Sequence, residues 1–179
     1  MQRTVLLRRY TQGLVDTLKD EHEYANILKN LIEFSTFNAE NREFAETMSS
    51  PFLSASKKKD VAAAVLDHTD FEDKSKRFLL LVIENDRLAL LPDICETLPL
   101  VWNEEKGIVN VEVASVVPLT ESQQQKLAAK LEVMESAPVA LHYRIDPTLI
   151  GGISVRRGNI FYDVSLAGAL DRLKEKILE

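Results

Sequence analysis

The side chains best suited to chemistry are thinly spread along the chain. His22, His68 and His142 lie far apart, with no histidine pair at helical spacing and no cysteine cluster beside them. A zinc-type site needs several ligands at close, regular spacing, so all three histidines read as surface or structural residues. The single cysteine, Cys95, shares a helical face with Leu91 and Leu98, which predicts a buried structural thiol rather than an activated nucleophile. Asp146 and Asp163 flank a glycine-rich segment, and paired carboxylates divide acid and base roles when a cleft fixes their separation. Each also has a local use: Asp146-Pro147 opens a turn, and Asp163 stands at the entry to a helix. No Gly-x-x-x-x-Gly-Lys-Ser/Thr loop occurs, so the sequence excludes ATP binding through a P-loop. The expectation is a chain with no catalytic residue, no cofactor and no metal.

Groups suited to contact are better represented. Lys57-Lys58-Lys59 falls where a helix should begin, the unfavourable end of the helix dipole for cations, and reads as a solvated patch or a landing site for an acidic partner. Arg156-Arg157 precedes Gly158-Asn159, whose residue types suit the positive φ values of a two-residue hairpin loop, and a hairpin tip projects. Gly151-Gly152, inside a strand pattern, marks either a bulge or close packing, or else a docking point.

Composition sets the outer limits. The chain has 179 residues, 45% of them apolar, a formal charge of −6 and one cysteine. That length allows one large or two small domains. The acidic balance argues against a general nucleic-acid binder, which needs cations to neutralise phosphates. A lone cysteine suits a reducing compartment. The apolar run in MQRTVLLRRYTQGLV is too short for a signal peptide or a membrane span. Work at a membrane would therefore proceed through other proteins.

The elements that position these residues change character near Glu105. Before it, apolar residues recur at helical steps: Leu7, Tyr10, Leu14 and Leu18, widened by Leu6 and Val15; then Tyr24, Ile27, Leu28, Leu31 and Ile32, ending near Ser35-Thr36. Asn38 is a candidate cap for a third helix carrying Phe44 and Met48, and a fourth starts near Ser56 with Val61, Val65 and Leu66. Phe78–Ile83 is dense enough to predict a helix buried on most sides. A last helix carries Leu91, Ile94, Cys95, Leu98 and Trp102, with Pro92 in its first turn and a kink expected at Pro99. Five or six short helices predict an all-α bundle over residues 1–105.

After Gly107, a helix terminator, β-branched residues Ile108 to Val116 predict a strand. Thr120 and Gln123 form a capping box for a helix holding Leu127, Leu131 and Met134 inward. Val139, Leu141 and Tyr143 alternate as another strand. The hairpin on either side of Gly158-Asn159 follows, and Ser165 caps a terminal helix with Leu166, Leu170, Leu173 and Ile177 at helical spacing. The fold class is therefore α+β: a helical N-terminal domain and a small C-terminal α+β domain over residues 106–179.

The run from Asp146 to Leu173, Asp-Pro-x-Leu-Ile-Gly-Gly, then Val-Arg-x-Gly-Asn, then Asp-x-Ser-x-x-Gly-x-Leu, resembles the C-terminal signature of the F-type ATP synthase delta subunit family, to which the mitochondrial oligomycin-sensitivity-conferring protein belongs. FLLLVIENDRLALLPDI at Phe78–Ile94, Arg9-Tyr10, and Ser115-Val116-Val117-Pro118-Leu119 resemble further family segments. Two departures stand out. Asp163-Val164-Ser165 replaces the family's Asp-Gly-Ser, and Leu166–Ala169 are apolar or small where the family favours basic residues.

The resemblance implies a non-catalytic stator. The N-terminal domain would hold an N-terminal helix of the F1 alpha subunit, and the C-terminal domain would engage the peripheral-stalk b subunits. The α/β head is thereby kept from turning while rotor torque drives proton-coupled ATP synthesis. It further implies membrane association only through the Fo complex, at the cytoplasmic face of a bacterial inner membrane. Mapped by motif, the alpha helix would meet Tyr10, Leu14 and Leu81, and Gly151, Gly152, Arg156 and Arg157 are the partner-contact candidates of the C-terminal half. A two-domain cytosolic adaptor with a helical RNA-regulatory domain is the competing class, and the acidic charge weighs against it.

Overall fold

Side-chain caps decide where most of the helices begin. Asp20 accepts the Glu23 amide at 2.8 Å, Asn41 the Phe44 amide at 3.0 Å, and Ser54 the Lys57 amide at 3.4 Å. Each thereby satisfies an amide that the first helical turn leaves unpaired. The computed structural model describes residues 2–178, and the chain divides into two compact units, Met1–Trp102 and Asn103–Glu179. The helices are α1 (Gln2–Val15), α2 (Glu21–Glu40), α3 (Arg42–Ser49), α4 (Ala55–Asp67), α5 (Asp73–Glu84) and α6 (Leu91–Glu105), with a 3₁₀ turn at Leu88–Leu90.

Within the first unit the core gathers one face of every helix. Ile27, Leu31 and Phe34 of α2 meet Phe78, Leu79, Val82 and Ile83 of α5 and Leu91, Ile94, Leu98 and Trp102 of α6. Tyr24 stacks on Trp102, with ring centres 4.6 Å apart and planes 5° from parallel. Buried polar groups are answered locally: the Thr11 hydroxyl lies 3.1 Å from the Leu7 and Arg8 carbonyls, and Ser75 Oγ accepts from Asn30 at 3.1 Å.

Several sequence expectations shift here. Helix α2 runs on to Glu40, because Thr36 satisfies its hydroxyl on the Ile32 carbonyl and Phe37 adds an aromatic contact with Phe44. The cap of α3 is consequently Asn41 rather than Asn38. Helix α4 starts at Ala55 and turns Lys58, Ala62 and Leu66 inward, leaving Val61 exposed. Lys58 is not solvated: it is 5% exposed and ion-paired to Asp86, while Lys59 reaches Glu84 at 2.9 Å. Two of the three lysines thus join α4 to the end of α5, Lys58 from a buried position and Lys59 at the surface. Helix α5 is buried on one side only, with Leu81 48% exposed. Helix α6 passes through Pro99 without ending.

The second unit is a mixed four-stranded sheet of order β2-β1-β3-β4, with β1 Val109–Ser115, β2 Val139–Ile145, β3 Ile153–Arg157 and β4 Ile160–Asp163. Helix α7 (Glu121–Glu135) is the crossover that allows β1 and β2 to run parallel. It begins on the expected Thr120/Gln123 box. Val111, Val113, Val155 and Leu131 form its core with α7, flanked by Leu127, Leu141 and Ile153. Met134 points out, because the inward position of the last turn of α7 is taken by Glu135, four residues after Leu131, whose side chain is mostly covered and paired with Arg157. The other face of the sheet is polar. His142 Nε2 lies 3.2 Å from Asn110 Oδ1, and Arg144 donates to Glu112 at 2.9 Å, diagonal cross-strand pairs offset by two residues from the register that sets His142 against Glu112 and Arg144 against Ala114. In the hairpin only Gly158 takes a positive φ, +52°, so the turn needs one glycine rather than two permissive residues. Ser165 opens α8 (Leu166–Leu178) by accepting the Gly168 amide at 3.0 Å.

The Lys58–Asp86 pair makes an asymmetric prediction. Asp86→Asn keeps a residue tolerant of the local φ of +53° but strands a buried ammonium, and should lower stability by about 1 kcal/mol after allowing for the exposed carboxylate. Lys58→Met fills the same space without charge and should be close to neutral. Urea midpoints of the two variants decide it.

Candidate functional site

Helices α1 and α5 lie side by side and run in opposite directions. Lys74, early in α5, donates to the Thr17 carbonyl just past the end of α1, whereas Tyr10 meets Phe78 edge-on at 6.3 Å. Each helix turns one apolar face to the core, and between them a groove of about 650 Å³ stays open. Tyr10 and Leu14 form one wall, Phe78 and Leu81 the other, and Gly13 lowers the first. The structure thus brings Tyr10, Leu14 and Leu81 to one place. Phe78, Gly13 and the basic residues Arg9, Lys74, Arg77 and Arg87 also line it. Gly13 stands three residues after Tyr10, and Phe78 and Arg77 three and four before Leu81, a helical spacing that could have found them; Arg9, Lys74 and Arg87 carried no such signal.

The groove is held by polar contacts at its two ends. Arg87 Nη1 donates to the Tyr10 hydroxyl at 2.8 Å, and its guanidinium sits 5.5 Å from the centre of the same ring. At the other end Lys74 pairs with Glu23, whose carboxyl is held below its ordinary value, first by that ammonium and then by the Lys19 amide. A second groove of about 850 Å³ contains Arg42 and Lys58 but also Glu46 and Asp86, so its charges balance.

The groups that suggested catalysis are engaged elsewhere. Asp146 Oδ1 accepts from the Thr148 hydroxyl and amide and Oδ2 from Arg144, and Asp163 Oδ1 accepts the Ser165 amide at 2.8 Å. Hydrogen bonds to Thr148 and to Ser165, respectively, lower the two carboxyl pKa values. Burial pushes the Cys95 thiol up to about 11, which keeps it protonated and unreactive. Among the described residues no group of three or more His, Cys, Asp or Glu side chains is placed to hold a metal.

Gly151 and Gly152 serve the fold directly. A Cβ at Gly151 would lie 2.7 Å from Leu166 Cδ1, and one at Gly152 would lie 2.4 Å from the Val164 carbonyl, where φ is also +80°. The pair lets the chain before β3 pass against the entry to α8. The Gly151 amide closes a tight turn onto the Leu149 carbonyl at 2.7 Å, which puts the exposed Ile150 at a φ of +63°. Arg157 is ion-paired to Glu135 of α7, and Arg156 lies 5.8 Å from the Phe161 ring centre. Both arginines sit within β3, short of the hairpin tip. What does project is apolar. Leu166, Leu170 and Leu173 of α8 are each 57% exposed, as are large parts of Phe161 and Val164.

Three comparisons bear on these surfaces. The family model described as ATP synthase delta (OSCP) subunit matches residues 6–177. The chain is 33% identical to the chloroplastic ATP synthase subunit delta of Galdieria sulphuraria over 90% of its own length and 91% of the relative's. It is 30% identical to the ATP synthase subunit delta of Clostridium perfringens, covering 96% of both chains. Among solved structures it is similar to a chain of the Toxoplasma gondii mitochondrial ATP synthase hexamer, with a TM-score of 0.64, 19% identity, and coverage of 97% and 98%. At that identity the likeness concerns the fold.

Two measurements follow from the geometry. A Cβ on Gly13 meets nothing within 4 Å, so Gly13→Ala should raise stability by about 1 kcal/mol, read from the urea midpoint. The lowered pKa values of Asp146 and Asp163 give the folded state an advantage above the unfolded value of 3.8, lost as pH falls through the lower folded values. A titration of stability from about pH 6 to about pH 2.5 should therefore flatten in the Asp146→Asn, Asp163→Asn double variant.

Proposed function

Since the chain belongs to the ATP synthase delta (OSCP) subunit family, we propose that it works as the connector of the stator, holding the F1 head through its first unit and the peripheral stalk through its second. It is a non-catalytic subunit of the F-type complex. The observation that carries the proposal is the open apolar groove between α1 and α5, where Tyr10, Leu14 and Leu81 converge. A groove bordered by two helices suits an amphipathic helix presenting anchors at i, i+3 or i+4, and i+7, which here is the N-terminal segment of the F1 alpha subunit. Its apolar walls run from Tyr10 to Leu14 and from Phe78 to Leu81. Two turns of a guest helix, about 11 Å, extend somewhat beyond both, so the groove seats the anchors and leaves the guest's ends in solvent.

The second unit supplies the other grip. The α8 stripe of Leu166, Leu170 and Leu173 stays outside the small core beneath α7. An apolar stripe of this kind marks a protein contact, and the b subunits of the stalk are its partners in this reading. Completing the burial of each leucine contributes about 1 kcal/mol. Arg156, exposed beside Phe161, contributes a cation at the same unit's surface.

A stator transmits force without bond chemistry, so it needs broad contacts and slow dissociation rather than an activated side chain. No helix among the described residues is long and apolar enough to cross a membrane. The subunit is peripheral to its membrane complex, in our reading on the cytoplasmic face of a bacterial inner membrane. The RNA-adaptor alternative gives way to the family assignment.

The choice of variants depends on burial. Leu14 is only 4% exposed, so Leu14→Asp would damage the core as well as the groove; Leu81, on the open wall, is the clean probe. Leu81→Asp should weaken binding of a synthetic alpha N-terminal peptide at least about tenfold and leave b-subunit capture intact. Leu170→Asp should do the reverse, with helicity and melting unchanged in both. Equal peptide affinity for Leu81→Asp and the parent chain, by calorimetry, would remove the groove assignment.

A further inference from the structure

The groove between α1 and α5 has a charge pattern that its apolar walls do not require. Its lining holds four cations, Arg9, Lys74, Arg77 and Arg87, and no carboxylate. This occurs in a chain whose formal charge is −6, and the neighbouring groove balances two cations against two carboxylates. The concentration of one sign is local.

The four cations are not equivalent. Lys74 is neutralised by Glu23. Arg87 donates to the Tyr10 hydroxyl rather than to a carboxylate. Arg9 and Arg77 are exposed, and among the described residues neither makes an ion pair with a carboxylate. Arg9 stands on α1 and Arg77 on α5, one on each side of the groove. A guest lying between them therefore meets a positive edge along both flanks.

Resting on the reading of this groove as a helix-docking site, we propose that its occupant is selected by charge as well as shape: an amphipathic helix with carboxylates along both edges of its apolar face. Arg9 and Arg77 recruit and orient it, and the apolar walls retain it. Exposed ion pairs add little to equilibrium affinity, so the signature lies in encounter rate and salt sensitivity. Like-charged guests meet a barrier, which excludes basic amphipathic helices such as membrane-surface segments.

The test uses the full chain and three synthetic helical peptides with one apolar face in common. Their edge positions carry Glu, Gln or Lys. Fluorescence anisotropy and stopped-flow mixing give affinity and association rate at low and high salt. The expected order is Glu, then Gln, then Lys, with about a threefold advantage of Glu over Gln per edge and a faster association that fades at high salt. In the double variant Arg9→Glu, Arg77→Glu, whose positions are exposed, the order should invert. Equal binding of the Glu and Gln peptides, or an unchanged order in the double variant, would overturn the charge proposal while leaving the docking site standing. Failure of every peptide to bind the unmodified chain at any salt would overturn both.

Discussion

Tyr10 keeps the groove a groove. Its ring is caught between the edge of Phe78 and the guanidinium of Arg87, and its hydroxyl accepts a hydrogen bond from the same arginine. Those contacts tie α1 to α5 and to the segment that follows it, at the end of the groove away from Lys74. They also hold a large side chain upright at the wall instead of letting it fold across the opening. A preformed site spares its guest the cost of ordering it. The open apolar wall of Leu81 depends on that fixed spacing.

The rest of the first unit can be understood as what frees α1 and α5 to present a second face. Short helices ordinarily bury one stripe, and here the inward stripe alone makes the core, with Leu79, Val82 and Ile83 of α5 fully enclosed. Lys58 and Lys59 of α4 reach Asp86 and Glu84, anchoring the end of α5 to α4. Apolar surface can then stay exposed on α5 without loosening it. The same economy appears in the second unit. A single helix, α7, covers one face of the sheet, cross-strand polar pairs finish the other, and α8 is left with three leucines outward.

The glycine pair explains how α8 is presented. Leu166 packs onto Gly151 and the Val164 carbonyl onto Gly152, so the helix entry is fixed by backbone contact rather than by burial of its stripe. Ser165 and Asp163 complete the entry by capping its first amides. A helix positioned by its entry keeps its apolar side available, which a helix positioned by core packing could not do.

Much of this was legible from residue types and spacing. The α+β class, the capping box at Thr120, the Ser165 cap, the Gly158 turn and the family signature all depend on short-range rules, where a few neighbouring residues decide the backbone. The convergence of Tyr10, Leu14 and Leu81 was reached by resemblance, since periodicity alone could not separate a groove wall from a core stripe. Other features required the folded chain. The internal role of Lys58 depends on Asp86, far along the sequence, arriving beside it. The extension of α2 to Glu40 depends on Phe37 finding Phe44. Met134 looks inward by periodicity and lies outside because Glu135, paired with Arg157, takes the inward place in the last turn of α7. The sequence determined which elements form and how they start and stop, since those choices are local; only the tertiary structure decided which apolar faces met and which were left over, because burial depends on what comes alongside.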